Sequence, residues 1–310
     1  MPRSIAMEIL SAVLSSSQRG PRRDQDGPDG ERDFEVGEFE RLELNGACDV
    51  EVETGARAAV RASGPEWALD ELSVEHDGDR LFIGGRDIGD VEVHVTVKVL
   101  RGLRSSGSGD VAIDRVKSDL FECSSSGSGD VTIGEIDVER LQLSGAGSGD
   151  VRIDKARATQ VEAAFMGSGD LSADAIEGAE LKLAINGSGD CTIGEYSGEK
   201  FRSVTSGSGD LAVDNLESAR VECSVFGSGD IRIGQGSATE GKLETTGSGD
   251  IGAEDLEFRE AAISVCGSGD ISVCVTERAD VVVMGSGDVE VTGGAKCTVS
   301  GSGSGEVHRL

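Results

Sequence analysis

The sequence has very few aromatics: one Trp, one Tyr and eight Phe among 310 residues, 3% in all. A wide core built on large rings is thereby excluded, and the interior must be filled by Val, Ile, Leu, Ala and Cys. That suits a narrow core. Basic residues are scarce too, 29 Lys and Arg against 58 Asp and Glu, for a formal net charge of -29. Phosphate contacts need clustered Lys and Arg, so nucleic acid is excluded as a partner. The same charge disfavours docking on an anionic membrane and implies an acidic surface that resists self-association.

Long apolar runs are missing as well. Residues 5–14 are weakly apolar, carry Glu8 and are too short to span a bilayer. They also make a poor signal peptide, with one Arg, an internal acid and no small-x-small cleavage site, which reads as cytoplasmic if the start is correct. The seven cysteines (Cys48, Cys123, Cys191, Cys223, Cys266, Cys274 and Cys297) form no C-x-x-C pair and no metal-ligand spacing. They are read as small core hydrophobes rather than as a disulfide framework or zinc site. There is no Gly-x-Ser-x-Gly elbow, no H-E-x-x-H and no phosphate loop, and His76, His94 and His308 are too scattered to form a catalytic set. No catalytic, cofactor-binding or metal residue is therefore assigned.

What the chain has in abundance is Gly-Ser-Gly-Asp. The tetrapeptide begins at Gly107 and returns every twenty residues through Gly267, then after eighteen at Gly285, with a Gly303-Ser304-Gly305-Glu306 variant eighteen further on. A fixed period over two hundred residues marks a stack in which each repeat buries its apolar face against its neighbours. Counted from each Asp, positions one and three are apolar, as in Val111 and Ile113 or Cys191 and Ile193. Positions eleven and thirteen are apolar again, as in Phe121 and Cys123 or Leu181 and Leu183.

That period of two is strand, not helix. Each unit is predicted to carry a strand into the glycines, a bend there, a second strand after the Asp and a turn four to nine residues on. The two glycines fall on the inward side. In the eighteen-residue units the deletion is expected in that turn, between Thr276 and Val281 and between Thr292 and Val299, with Cys297 in the inward column. Stacked units set like positions about 4.8 Å apart. The fold so implied is all-β, a parallel β-helix or β-solenoid with turns of about twenty residues.

The domain reading has three parts. Residues 1–33 form a disordered N-terminal segment, rich in Pro, Gly, Ser and mixed charge from residue 15 and containing Arg22 and Arg23. Residues 34–100 form a strand-rich cap, with a short helix predicted from Glu66, a hairpin across Asp77-Gly78 and a strand over residues 91–99. Residues 101–310 form the repeat β-helix. Within the cap, Gly46-Ala47-Cys48-Asp49-Val50 reads as a degenerate copy of the repeat corner.

Phe34-x-Val36-x-x-Phe39-x-x-Leu42-x-Leu44-x-Gly46, the strand from Val50 to Gly55, the Gly64-Pro65-Glu66 turn, Asp79-x-Leu81-x-Ile83 and the repeated Gly-Ser-Gly-Asp together resemble the bacterial putative autotransporter adhesin, head GIN domain family. The closing stretch from Met284 to Cys297 is similar to it as well. The resemblance covers the chain from about Phe34 onward. It implies a single-stranded right-handed β-helix, a cell-envelope or periplasmic location and no established enzymatic activity. The chain departs from the family in having more repeats and in its weak export signal.

Three chemistries compete with that reading. Asp110, Asp130, Asp150, Asp170, Asp190, Asp210, Asp230, Asp250, Asp270 and Asp288 lie in one row, and a ladder of calcium sites would neutralise their mutual repulsion. The calcium β-roll repeat is nine residues with a second ligand per turn, however, and this one is twenty with none. The alternative is structural, with Gly supplying an unusual corner backbone while Asp and Ser accept N–H groups. A polysaccharide-active β-helix enzyme needs one distinct carboxylate pair, and the row offers none that stands out. Ice binding wants a uniform Thr column, which the mixed residues two after each Asp do not supply. The expected function is a non-enzymatic acidic β-solenoid serving as a structural or adhesion surface. Its partner is an unknown envelope protein or glycan, and its oligomeric state is unknown.

Overall fold

The computed structural model describes residues 28–86 and 88–310, of which most are strand. The apolar stretch at residues 5–14 and the Arg22–Arg23 pair lie outside the described residues. Two compact units share the chain. One holds residues up to Val138 together with Ser148–Asp154; the other holds Glu139–Gly147 and Lys155–Leu310.

The first unit opens with β1 (Asp29–Phe34), β2 (Arg41–Asn45), β3 (Asp49–Thr54) and β4 (Ala59–Pro65). A short helix, α1 (Glu66–Glu71), follows Pro65 as predicted and buries Ala68 and Leu69. Then come β5 (Leu72–Asp77), β6 (Arg80–Gly85), β7 (Glu92–Val97), β8 (Gly102–Ser105) and β9 (Val111–Ser125). β2 runs parallel between β6 and β8, and β3 runs parallel between β7 and β9. The successive pairs β6–β7, β2–β3 and β8–β9 thus each form two limbs of a coil, with the Gly46-to-Asp49 corner stacked against Gly107-to-Asp110. The degenerate corner is a working coil.

The β6–β7 coil is closed off by antiparallel partners, β5 against β6 and β4 against β7, with β1 on the outer edge of β4. Antiparallel strands with charged, exposed side chains end a parallel stack without offering a bare parallel edge. β1 corrects the composition-based boundary: residues 29–33 are strand, because their backbone groups pair with residues 61–65 whatever their side-chain polarity.

The repeats supply β10 (Val131–Gly145), β11 (Val151–Phe165), β12 (Leu171–Ile185), β13 (Cys191–Thr205), β14 (Leu211–Val225), β15 (Ile231–Thr245) and β16 (Ile251–Val265), each of 15 residues like β9. After them come β17 (Ile271–Val283), β18 (Val289–Thr292), β19 (Lys296–Gly301) and β20 (Val307–Arg309). In the second unit β12 through β17 pair in parallel with a register of twenty, as in Leu171↔Cys191↔Leu211↔Ile231↔Ile251↔Ile271. This is a parallel β-solenoid of about twenty residues per turn.

The columns counted from Asp are buried as expected: Val111, Ile133, Cys191, Ile193, Phe201, Leu211 and Ile231 are all nearly inaccessible. Burying each such side chain is worth roughly 1.5–3 kcal/mol, and the stack supplies several per coil. Two expectations need correction. Strand pairing extends into the predicted turn four to nine residues after Asp, as where residues 175–178 pair with 195–198, because each coil's backbone there bonds to its neighbour's. In the first eighteen-residue unit the deletion is absorbed inside β17, where the register against β16 shifts between Ala253 and Glu257 and again between Phe258 and Glu260; in the second, a turn at Gly293 and Gly294 separates β18 from β19 within the expected interval. Cys297 does sit in the inward column, opposite Ala279, but is only half-buried. Cys48, Cys123, Cys191 and Cys223 are buried, Cys274 is intermediate and Cys266 is exposed.

Candidate functional surface

The repeated corner is the most regular feature, and its chemistry is backbone chemistry. The glycines do not adopt left-handed φ; the described glycines that do, such as Gly78 and Gly293, lie elsewhere. Steric closeness requires them instead. A Cβ on Gly127 would stand 1.7 Å from the carbonyl oxygen of Gly107, and one on Gly207 would stand 1.8 Å from that of Gly187. The following Ser N–H donates to the same carbonyl, Ser128 to Gly107 at 3.0 Å and Ser208 to Gly187 at 3.1 Å. Corner backbones therefore stack in direct contact.

Each corner Asp then links coil to coil. In the first unit Asp49 Oδ1 accepts the N–H of Asp110 at 3.0 Å, Asp110 that of Asp130 at 2.9 Å, and Asp130 that of Asp150 at 2.8 Å. In the second unit the same bond runs from Asp170 through Asp190, Asp210, Asp230, Asp250, Asp270 and Asp288 to the N–H of Glu306, at 2.7 to 2.9 Å. The row is a ladder of side-chain acceptors for amides that would otherwise lack partners. Burial pushes the Asp49 and Asp110 carboxyls above the usual carboxylate range, against the pull of the N–H bond each accepts. Every rung does the same job.

Outside the corners, oppositely charged side chains meet across neighbouring coils. Lys117 reaches Asp137 at 2.8 Å, Arg157 reaches Glu177 at 2.7 Å, Lys182 reaches Glu162 at 3.1 Å, and Arg220 pairs with Glu240. These pairs are exposed and each contributes little.

Among the described residues, clefts on the outer face of the second unit include a larger and a smaller one. The larger, about 420 Å³, is bordered by Gln142, Glu162, Lys182 and Arg202, the residues twelve after Asp in four successive coils, with Ala164 and Ala184 on its floor. Small side chains in this outward column leave a trough beside the row of longer polar ones. The smaller, about 290 Å³, lies where Gly252 replaces a side chain among Asp230, Asp250, Glu254 and Asp255, with Arg232 bonded to Asp230 at 2.7 Å. The sequence reading missed both clefts; the signal was the run Ala164, Ala184, Val204 at outward positions.

The three histidines stay apart. His76 Nε2 lies 3.1 Å from the Glu38 carbonyl oxygen, and His308 lies near Glu306, just before its strand. His94, read as an ordinary strand residue, stands between two carboxylates, Glu51 on the neighbouring strand and Glu92 on its own. Residues 43 apart in sequence meet there only because β3 and β7 pair in register. No helix among the described residues is long and apolar enough to cross a membrane.

A family profile described as "Putative auto-transporter adhesin, head GIN domain" matches residues 38–196 and 192–295. No curated protein matches the chain. Solved structures similar to it include a putative adhesin from Parabacteroides distasonis, 20% identical, covering 92% of this chain and 98% of that one at a TM-score of 0.37. Another is a putative adhesin from Bacteroides fragilis, 17% identical over 92% and 98% at 0.38. A third is described as a putative lipid binding protein from P. distasonis, 20% identical over 92% and 98% at 0.37. Superpositions this loose say nothing about function. The family match, spanning most of the chain and coinciding with the corner repeat, decides the matter: the chain belongs to the putative auto-transporter adhesin, head GIN domain family.

Proposed function

We propose that the chain is a non-enzymatic binding protein of the bacterial cell envelope, its stacked coils serving as a rigid scaffold and an outer face of the second unit as the contact surface. Membership of an adhesin family supports a binding role. The observation that carries the reading is the trough along Gln142, Glu162, Lys182 and Arg202. It repeats hydrogen-bonding groups of both signs from coil to coil over a floor of small side chains. Coils at strand spacing set those groups about 4.8 Å apart. Such a periodic face matches an extended polymer, an envelope glycan or a protein segment. The corner aspartates argue for a structural task, since their Oδ1 atoms hold the next coil's amides.

The test is a pull-down from envelope extracts and a glycan array, comparing the wild-type chain with Ala184→Arg, which fills the trough from an outward position. Retained binding to the same glycan or protein by the filled variant would refute the trough as the contact surface. Fractionation of native cells tests the envelope location separately.

A further inference from the structure

In the first unit, β3 and β7 pair in parallel with Glu51 directly opposite His94 and Asp49 opposite Glu92. Glu51, Glu92 and His94 sit at alternate positions, so all three side chains leave the sheet on the same outward face. One imidazole nitrogen and one oxygen from each carboxylate lie within 4.8 Å of one another. His94 Nδ1 is 3.0 Å from Glu51 Oε2, a hydrogen-bonding distance, and Nε2 is 3.8 Å from Glu92 Oε1, too far for a hydrogen bond. That second gap is close to the spacing of two ligands on one cation with bonds of about 2.0–2.2 Å.

We propose that Glu51, Glu92 and His94 form a surface binding site for a divalent transition-metal ion such as Zn²⁺. An imidazole with two carboxylates is a borderline ligand set that suits zinc better than calcium or magnesium, which prefer oxygen alone. Small side-chain rotations bring the three ligand atoms onto one ion, and solvent completes the shell. The charges around the site favour a cation. Asp49 stands directly opposite Glu92 in the β3–β7 register and adds a further carboxylate beside the site. Arg61, across from His94 on β4, is bonded to Asp33 at 2.8 Å and thus directed away from both glutamates. The bound ion would tie β3 to β7 across the coil that the antiparallel strands close off.

The experiment is calorimetric titration of the full chain with Zn²⁺ alone after treatment with a chelator, alongside His94→Ala and Glu92→Gln. Both positions face outward, and circular dichroism confirms that the variants keep the wild-type fold. The expected result is one equivalent of zinc per chain, with affinity about tenfold or more lower in either variant. Asp190→Asn, in the corner ladder of the other unit, should bind as wild type does, and calcium should not compete. Zinc binding that is absent in the wild type, or unchanged in His94→Ala because the exposed Cys266 thiol carries it, would overturn the proposal.

Discussion

Gly207→Ala isolates the physical reason for the repeated corner. A methyl group there would sit 1.8 Å from the Gly187 carbonyl oxygen, 2.9 Å from its carbon and 3.1 Å from its nitrogen. All three are backbone atoms of the adjacent coil, so no rotamer change relieves the clash. To bring the nearest contact out to at least 3.0 Å, the two corners must separate. That stretches the Ser208 N–H to Gly187 bond from 3.1 Å and the Gly209 N–H to Gly187 bond from 3.3 Å. Overpacking costs about 1–3 kcal/mol in cores whose side chains can adjust. Against an immovable backbone with two hydrogen bonds at risk, the expected loss is at the top of that range or above it, about 3 kcal/mol. Two controls separate sterics from glycine's other properties. Gly252→Ala meets only the Glu254 carboxylate at 3.3 Å and should be neutral or slightly stabilising, by about 0.5 kcal/mol, through reduced unfolded-state entropy. Gly78→Ala has open space but φ of +63°, and should lose about 1 kcal/mol to left-handed backbone alone. Urea unfolding of the three variants gives the order, and amide hydrogen exchange at Ser208 localises the damage. If Gly207→Ala unfolds within about 1 kcal/mol of Gly252→Ala, the close-contact account of the motif is wrong.

Other perturbations probe the remaining links. Asp190→Ala removes the acceptor of the Asp210 N–H and should cost about 1–3 kcal/mol, while Asp190→Asn keeps a carbonyl oxygen in place and should stay near wild type; equal losses would show that charge rather than the hydrogen bond matters. If the ladder is structural, excess calcium or chelator leaves the melting temperature unmoved. Asp110→Asn tests the sign of a burial-raised carboxyl. Because folding raises the Asp110 pKa, its ionised form opposes folding at neutral pH and the opposition vanishes below the unfolded value. The variant should therefore melt higher at pH 7, with the gap closing as pH falls through the carboxylate range; a gap constant with pH refutes this. Ile193→Asp puts an unpaired charge at a fully buried position and should cost about 4 kcal/mol or more by urea titration. The Cys123 and Cys223 thiols, pushed up to about 12 by burial, should resist a thiol reagent until the chain unfolds, whereas Cys266 should react at once.

Some of the architecture follows from the amino-acid order alone. Apolar residues at alternate positions, repeated every twenty, specify strands stacked with like on like, because only that arrangement buries Ile193, Leu211 and Ile231 together while leaving their neighbours in water. The short α1 helix after Pro65 and the Asp77-Gly78 hairpin were legible from local signals. What sequence left open depended on groups distant along the chain. Composition misplaced residues 29–33 because a strand's partner, not its polarity, decides its pairing. The inward side of Gly107 and its repeats was readable from parity, but the reason for glycine was not: the obstacle is a carbonyl twenty residues away. The tertiary structure likewise decided that the aspartates are acceptors for the next coil's amides, that Ala164 and Ala184 leave a trough, and that Glu51 meets His94. A repeat fixes which residues share a column; distances between columns, and the atoms left facing one another across them, exist only once the coils are stacked.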